Sequence, residues 1–214
     1  MTGRPSGPAA GSAVRVLLAS RNAKKLVELR RILDAALGQH AVELVGLDDV
    51  PPYPEAPETG LTFADNALDK AREGATHTGL PSVADDSGLA VAALNGMPGV
   101  FSARWAGRHG DDDANLRLVL GQLSDVPDEQ LRAAFICAAA LVTPDGREYV
   151  VEGRVDGSLT RTPRGGNGFG YDPIFVPEGE RRTTAELSSE AKDAISHRGK
   201  AFRALAELIA TQLR

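Results

Sequence analysis

Cysteine is almost absent from this chain of 214 residues, where Cys137 stands alone. A single thiol cannot close an internal disulfide, and a reducing cytoplasm is the simplest setting for it. Cys137 lies in an apolar run with nothing near it in sequence to lower its pKa. It therefore reads as core packing rather than as a nucleophile. Long apolar runs are also missing. None approaches the ~20 residues that a membrane helix needs, so no membrane partner is expected. Aromatics make up only 5% of residues and the formal net charge is −5. An acidic chain without a basic and aromatic stripe is not built to hold nucleic acid. Residues 1–13 are rich in Gly, Pro, Ser and Ala and carry no apolar segment. They read as a disordered tail rather than a signal peptide.

What remains is ordinary for a soluble globular protein, with 42% hydrophobic and 25% charged residues. The length suits one large domain or two tightly joined lobes. Charge is unevenly spread. Residues 15–31 carry six basic side chains (Arg15, Arg21, Lys24, Lys25, Arg30, Arg31) and one acid, Glu28. Residues 43–86 carry ten acids and two bases, Lys70 and Arg72. A basic segment beside an acidic one suits a metal–phosphate ligand, although solvated helix faces are the plainer reading for most of these charges.

The pattern alternates between strand and helix. A short apolar run at 14–19 predicts a buried parallel strand. Asn22 can cap the next helix, over about 24–37. Residues 42–47 predict a second strand, giving a right-handed βαβ unit. A Pro- and acid-rich loop follows over 48–60. Thr62 and Asp65 resemble a capping box that opens a helix to about residue 78. Residues 82–84 predict a strand that ends at Asp85-Asp86. A turn is expected at 96–99 and a helix over 111–123, with an acidic first turn that suits the helix dipole. Residues 133–142 and 149–155 predict a long antiparallel hairpin. A glycine-rich loop, a strand-like segment at 173–176 and a helix over 196–213 complete the chain. The expected class is α/β: a mixed β-sheet flanked by helices, with the polar loops gathered at one end.

Six segments carry chemistry. Asp85 and Asp86 form a carboxylate pair at a predicted strand end. Such a pair can hold a hard cation or take a proton from water, although Asp-Ser-Gly is also turn-prone. Glu58 in the acidic loop can supply another oxygen ligand. Residues 20–25, Ser20-Arg21-Asn22-Ala23-Lys24-Lys25, sit at a strand-to-helix junction where amides and lysines attract phosphate. Asn66 and Lys70 lie four residues apart on one helix face and can turn toward phosphate together. The loop at 165–172 brings four glycines with Phe169 and Tyr171, rings that can stack on a base. His197 and Arg198 open the last helix, with Lys192 just before them, and offer donors for the carbonyl of a 6-oxo purine. Each segment alone has a plain structural reading. Together they indicate a nucleotide enzyme.

The matching stretches are residues 18–25 (Leu-Ala-Ser-Arg-Asn-Ala-Lys-Lys), 58–67 (Glu-Thr-Gly-Leu-Thr-Phe-Ala-Asp-Asn-Ala), 84–89 (Ala-Asp-Asp-Ser-Gly-Leu), 98–104 (Pro-Gly-Val-Phe-Ser-Ala-Arg), 168–175 (Gly-Phe-Gly-Tyr-Asp-Pro-Ile-Phe) and 196–201 (Ser-His-Arg-Gly-Lys-Ala). In this order the chain resembles the inosine/xanthosine triphosphate pyrophosphatase family. The resemblance spans residue 14 to about 210 and leaves the first thirteen residues outside. It implies hydrolysis of a non-standard purine nucleoside triphosphate between the α and β phosphates, with Mg²⁺, as a cytoplasmic homodimer. It also implies an elongated fold, one domain over 14–214, whose two lobes enclose the nucleotide. By position, Asp86 would be proton acceptor and metal ligand, and Glu58 the other metal ligand. Ser20, Arg21, Asn22, Ala23, Lys24, Lys25, Lys70 and Ser87 would hold the phosphates. Phe169, Gly170, Tyr171, Asp172, Lys192, His197 and Arg198 would hold the base and its surroundings.

The phosphate loop departs from the family's usual Thr-Gly-Asn-x-Gly-Lys at Ser20, Arg21 and Lys24. Asp65 stands where a longer Glu is common. Two other readings stay open on the residues alone: a nucleotide pyrophosphatase of other base specificity, and a nucleotide-binding regulator without catalysis. The intact acids favour catalysis, since a pure binder does not need Asp86.

Overall fold

In the computed structural model the described residues are 13–38, 42–54 and 57–213. The tail expected over 1–13 lies outside them, apart from Ala13. The first strand, β1 (Val14–Leu18), leads into α1 (Ala23–Leu37) and β2 (Val42–Val45). Asn22 caps α1, its side-chain oxygen accepting from the amides of Lys24 and Lys25 at 3.0 and 3.2 Å. β2 is shorter than predicted because residues 47–49 wind into a 3₁₀ turn, with Asp49 accepting from the Gly46 amide at 2.8 Å. α2 (Phe63–Thr78) begins at the predicted capping box between Thr62 and Asp65 and stops at Gly79, which is left-handed.

β3 (Ser82–Val91) departs most from expectation. It does not end at the aspartates but carries them in mid-strand. It pairs without a break with β4 (Arg132–Val142), from Ser82 opposite Val142 to Val91 opposite Ala133. Buried carboxylates persist in a strand only when other groups satisfy them. Here those groups come from elements far away in sequence. α3 (Asp112–Gln122) is capped by Asp111. β5 (Glu148–Leu159) completes the predicted hairpin and runs four residues further than expected. β6 (Phe175–Pro177) is a short edge, because Asp172–Ile174 forms a 3₁₀ turn in its place. The short helix α4 (Ser189–Ile195), capped by Ser188, was not predicted. Ser196 ends it and caps α5 (His197–Gln212).

The six strands lie in the order β2-β1-β3-β4-β5-β6. β1 runs parallel to β2 and β3, and the remaining pairs are antiparallel. Successive residues of β4 face opposite sides, so this one strand joins several cores. Cys137, Ala139 and Leu141 pack with α1 and α5. Ala138, Ala140 and Val142 pack with α2. Nearer its start, Ala133 and Phe135 join the cluster formed with α3 and β6. Alanine along β4 leaves room for helices on both faces. Phe202 and Leu205 of α5 are fully buried, each contributing about 1.5–3 kcal/mol by removal from water. A Cβ at Gly153 on β5 would collide with the His197 carbonyl and the Ala201 amide. The bare glycine lets the start of α5 rest directly on the sheet, which fixes where His197 and Arg198 stand. Among the described residues no helix is long and apolar enough to cross a membrane.

Candidate active site

A cavity of about 610 Å³ opens where β1, α1, β3 and α5 meet the loop around Phe169. Ser20, Arg21, Asn22, Ala23, Lys24, Lys25, Glu58, Lys70, Asp86, Ser87, Phe169, Gly170, Tyr171, Asp172, His197 and Arg198 all line it. Lys192 lines a smaller neighbouring cavity of about 290 Å³, which shares Phe169 and Lys24.

Asp85 and Asp86 point to different partners. Asp85 is buried and meets Lys25 Nζ at 3.1 Å, Ser87 Oγ at 3.1 Å and Arg198 Nε at 3.7 Å. Burial alone would raise its pKa, but Lys25, Arg198 and Lys70 outweigh it and hold the carboxyl down at about 2. Asp86 accepts from Asn66 Nδ2 at 3.0 Å and from the Ser87 amide at 3.0 Å, with Lys70 at 3.7 Å. Its pKa is raised, chiefly because burial penalises the charge more than Lys70 and Lys25 favour it. One carboxylate is thus locked as an anion and the other is made more basic. Such a division gives two adjacent carboxylates different chemical capacities.

Lys70 is the pivot of the acidic wall. Its Nζ sits 2.9 Å from Glu58 Oε1 and 3.7 Å from Asp86 Oδ1. Burial opposes its charge, yet Asp86, Asp85 and Glu58 raise its pKa. Burial also opposes the Glu58 charge, and Lys70 with Arg104 lowers its pKa nonetheless. Among the described residues no three of His, Cys, Asp and Glu converge as a metal-binding group. Glu58 and Asp86 still fit a hard cation. Both are oxygen donors, and a cationic nitrogen already stands between them. Water and phosphate oxygens would fill the rest of the shell. Asn66, expected to face phosphate, holds the site together. It donates to Asp86 and accepts from the Gly60 amide at 2.8 Å.

The phosphate segment is more occupied than a bare helix start. Asn22 takes the amides of Lys24 and Lys25. Lys24 pairs with Asp112 at 2.9 Å and Lys25 with Asp85. Arg21 donates to the Tyr53 carbonyl at 3.0 Å and lies 5.4 Å from its ring. Both the amides and the side-chain cations of this loop are therefore already engaged by the protein.

On the other wall, only one of the two expected rings is placed to stack. Phe169 is half-buried, with Arg198, Lys192 and Lys24 at 4.9, 5.4 and 5.9 Å from its centre. Tyr171 is buried and its hydroxyl donates to the Ser102 carbonyl at 2.9 Å, so it forms the wall. Asp172 is a loop organiser. It accepts from the Phe169 amide, Thr184 Oγ1 and Lys192 Nζ at 2.9, 2.8 and 2.7 Å. His197 stacks on Phe135, with ring centres 4.7 Å apart. Burial, then Arg198 and Lys192, push its pKa well below the usual range, so the ring is neutral. Its Nδ1 and the Nε of Arg198 are buried without a hydrogen-bond partner among the described residues. Arg198 also binds Glu28 at 3.1 Å and Ser87 Oγ at 2.8 Å.

Three contributors escaped the sequence reading. Glu28 is buried under Arg198 and lies 3.8 Å from Lys192. Its signal was an acid within the apolar face of α1. Arg104 grips Glu58, and Phe135 supports His197. Arg104 closes the matching stretch 98–104, where nothing local gives it a role, and Phe135 has no local signal. Cys137 is buried as expected, 3.9 Å from Asp85, and burial pushes its thiol pKa up.

A cleft with Glu58 and Asp86 on one wall and Lys24, Lys25 and Arg198 on the other, set past the end of β1 where the strand order turns from β2 to β3, marks a nucleotide-handling α/β protein. The chain belongs to the Ham1 family, whose model matches residues 16–208. It is similar to the dITP/XTP pyrophosphatase of Mycobacteroides abscessus, 65% identical over 196 residues that cover 92% of this chain and 95% of that protein. The dITP/XTP pyrophosphatase of Streptomyces coelicolor is 61% identical over 195 residues, covering 91% and 96%. A crystal structure of a nucleoside-triphosphatase / dITP/XTP pyrophosphatase from Mycobacterium abscessus superposes with a TM-score of 0.74 at 66% identity, covering 90% and 98% of the two chains. A HAM1 protein from Coxiella burnetii gives 0.81 at 41% identity, covering 92% and 98%.

Proposed function

We propose that the protein hydrolyses the non-standard purine nucleoside triphosphates ITP, dITP and XTP to the monophosphate and pyrophosphate, clearing deaminated purines from the nucleotide pool. The observation that carries this reading is the pairing of Glu58 and Asp86 across one cationic nitrogen, in a cavity that Phe169, His197 and Arg198 also line. The high identity to proteins named dITP/XTP pyrophosphatase supports the same chemistry.

Asp86 orients the attacking water and accepts its proton. Mg²⁺, held by Glu58 and Asp86, would neutralise phosphate oxygens and make the bound water a better nucleophile. Lys70 stabilises charge gathering on the departing pyrophosphate once it leaves the carboxylates, and Lys24 and Lys25 add to that field. Phe169 stacks on the base. The Arg198 guanidinium offers a donor to a 6-oxo group, and His197, which stays neutral, shapes the pocket around it. Adenine presents a 6-amino donor there, and two donors facing each other are costly when buried.

A cytoplasmic homodimer completes the reading. Exposed Met97 and Phe101 on one short segment support self-association, and the single buried thiol supports a reducing compartment. The test is dITP turnover followed by detection of dIMP, with and without a chelator. Loss on chelation and recovery with Mg²⁺ are expected. Full turnover in the chelator would remove the cation from the mechanism.

A further inference from the structure

We propose that Arg104 is a positioning residue that fixes Glu58 for cation binding, an inference that rests on the metal role given to Glu58 above. Glu58 comes from a segment that cannot hold it alone. Between Val50 and Thr62 the described residues form neither helix nor strand. A ligand on such a segment needs a support from elsewhere if its geometry is to be reproducible. Arg104, 46 residues away, supplies two hydrogen bonds to this one residue. Its Nη1 donates to Glu58 Oε2 at 3.0 Å and its Nη2 to the Glu58 main-chain carbonyl at 3.3 Å. A planar guanidinium makes such a two-point grip and an ammonium does not. With Oε2 held, Oε1 is left to face Lys70 and, beyond it, Asp86.

Arg104 is itself anchored to the strand that carries Asp86. It ends a 3₁₀ turn, Gly99–Arg104. Within that turn Ser102 Oγ accepts from the Leu89 amide at 2.9 Å and donates to the Gly99 carbonyl at 2.6 Å. Tyr171 donates to the Ser102 carbonyl from the far side. The turn comes this close because Gly88 has no side chain. A Cβ there would collide with Ser102 Oγ and the Gly99 carbonyl. Gly88 is two residues from Asp86. One route from one carboxylate to the other thus passes through β3, Ser102 and Arg104, beside the shorter one in which Asn66 joins the Gly60 amide to Asp86, and it is the one that grips the Glu58 carboxylate itself. Arg104 is not among the residues that line the cavity, whereas Glu58 is, so its link to the site is the grip on Glu58. This also gives a role to the 98–104 stretch.

The test is Mn²⁺ binding to the nucleotide-free protein, followed by electron paramagnetic resonance, for wild type, Arg104→Ala, Arg104→Lys and Glu58→Gln. Far-UV circular dichroism verifies each fold. A Mg²⁺ titration of dITP turnover runs in parallel. Groups that orient a ligand typically contribute about 10–100-fold to metal affinity. Arg104→Ala is expected to weaken Mn²⁺ by about tenfold or more, with turnover recovered at saturating Mg²⁺ and the preference among bases unchanged. Arg104→Lys keeps the charge but not the fork, and is expected to shift the same way. Wild-type Mn²⁺ affinity in either Arg104 variant, with Glu58→Gln weakened, overturns the role of Arg104 alone. Unchanged affinity in Glu58→Gln overturns the metal role of Glu58 and this inference with it.

Discussion

Asp85 and Asp86 are adjacent on β3, yet Asp85 is bonded to Lys25 and Asp86 to Asn66, on opposite faces of the strand. The alternation of an extended chain makes this possible. It lets one carboxylate be tied into a buried ion cluster while its neighbour stays available for proton transfer.

Asp86→Asn therefore removes the base and leaves the cluster intact. We expect turnover of dITP to fall by about 10²–10⁴-fold, the usual contribution of a positioned base, with the fold preserved by circular dichroism. A rate near wild type would remove Asp86 from the mechanism.

Asp85→Asn has the opposite profile. It leaves Lys25 and Arg198 without their buried carboxylate, a loss of about 3–5 kcal/mol at pH 7. The pKa of Asp85 is depressed in the fold to about 2, below an unfolded value of about 3.9. Its contribution is therefore present above about pH 4 and fades as pH falls toward 2. Denaturant unfolding of both proteins at several pH values should show a gap that narrows over that window. A constant gap would contradict the account.

His197→Ala should erode the preference for ITP over ATP by about tenfold or more, since buried polar groups set such ratios. Because burial keeps His197 neutral, the wild-type preference should not change between pH 8 and pH 6. A preference that moves with the ordinary imidazole pKa, or one untouched by the substitution, would place base reading elsewhere.

Gly153→Ala drives a methyl group into the backbone of α5. Overpacking of this kind costs about 1–3 kcal/mol, and here it also displaces His197 and Arg198. We expect a lower Tm together with a raised KM for dITP. A lower Tm with unchanged KM would show that the start of α5 is placed by other contacts.

Local signals were legible in the sequence. Asn22, and Thr62 with Asp65, cap helices where their type and spacing predicted it, and the helices expected from 111 and 196 start there, capped by Asp111 and Ser196. Those caps also bring Lys25, Lys70 and His197 to the cavity, so the motif residues were found. The length of β3 was not legible. Asp-Asp-Ser-Gly reads locally as a turn, and only Lys25, Arg198, Lys70 and Asn66, all distant in sequence, allow it to stay extended. Partner choice was hidden for the same reason. Nothing near Glu58 announces Arg104, and an acid in mid-helix does not announce that Glu28 lies buried against Arg198.

The most direct test of the central claim is a product assay. The protein is incubated with Mg²⁺ and, separately, dITP, XTP, GTP and ATP, and pyrophosphate is measured against orthophosphate. The account predicts pyrophosphate from dITP and XTP and little from GTP or ATP. Orthophosphate as the main product, or equal pyrophosphate from all four, would contradict it.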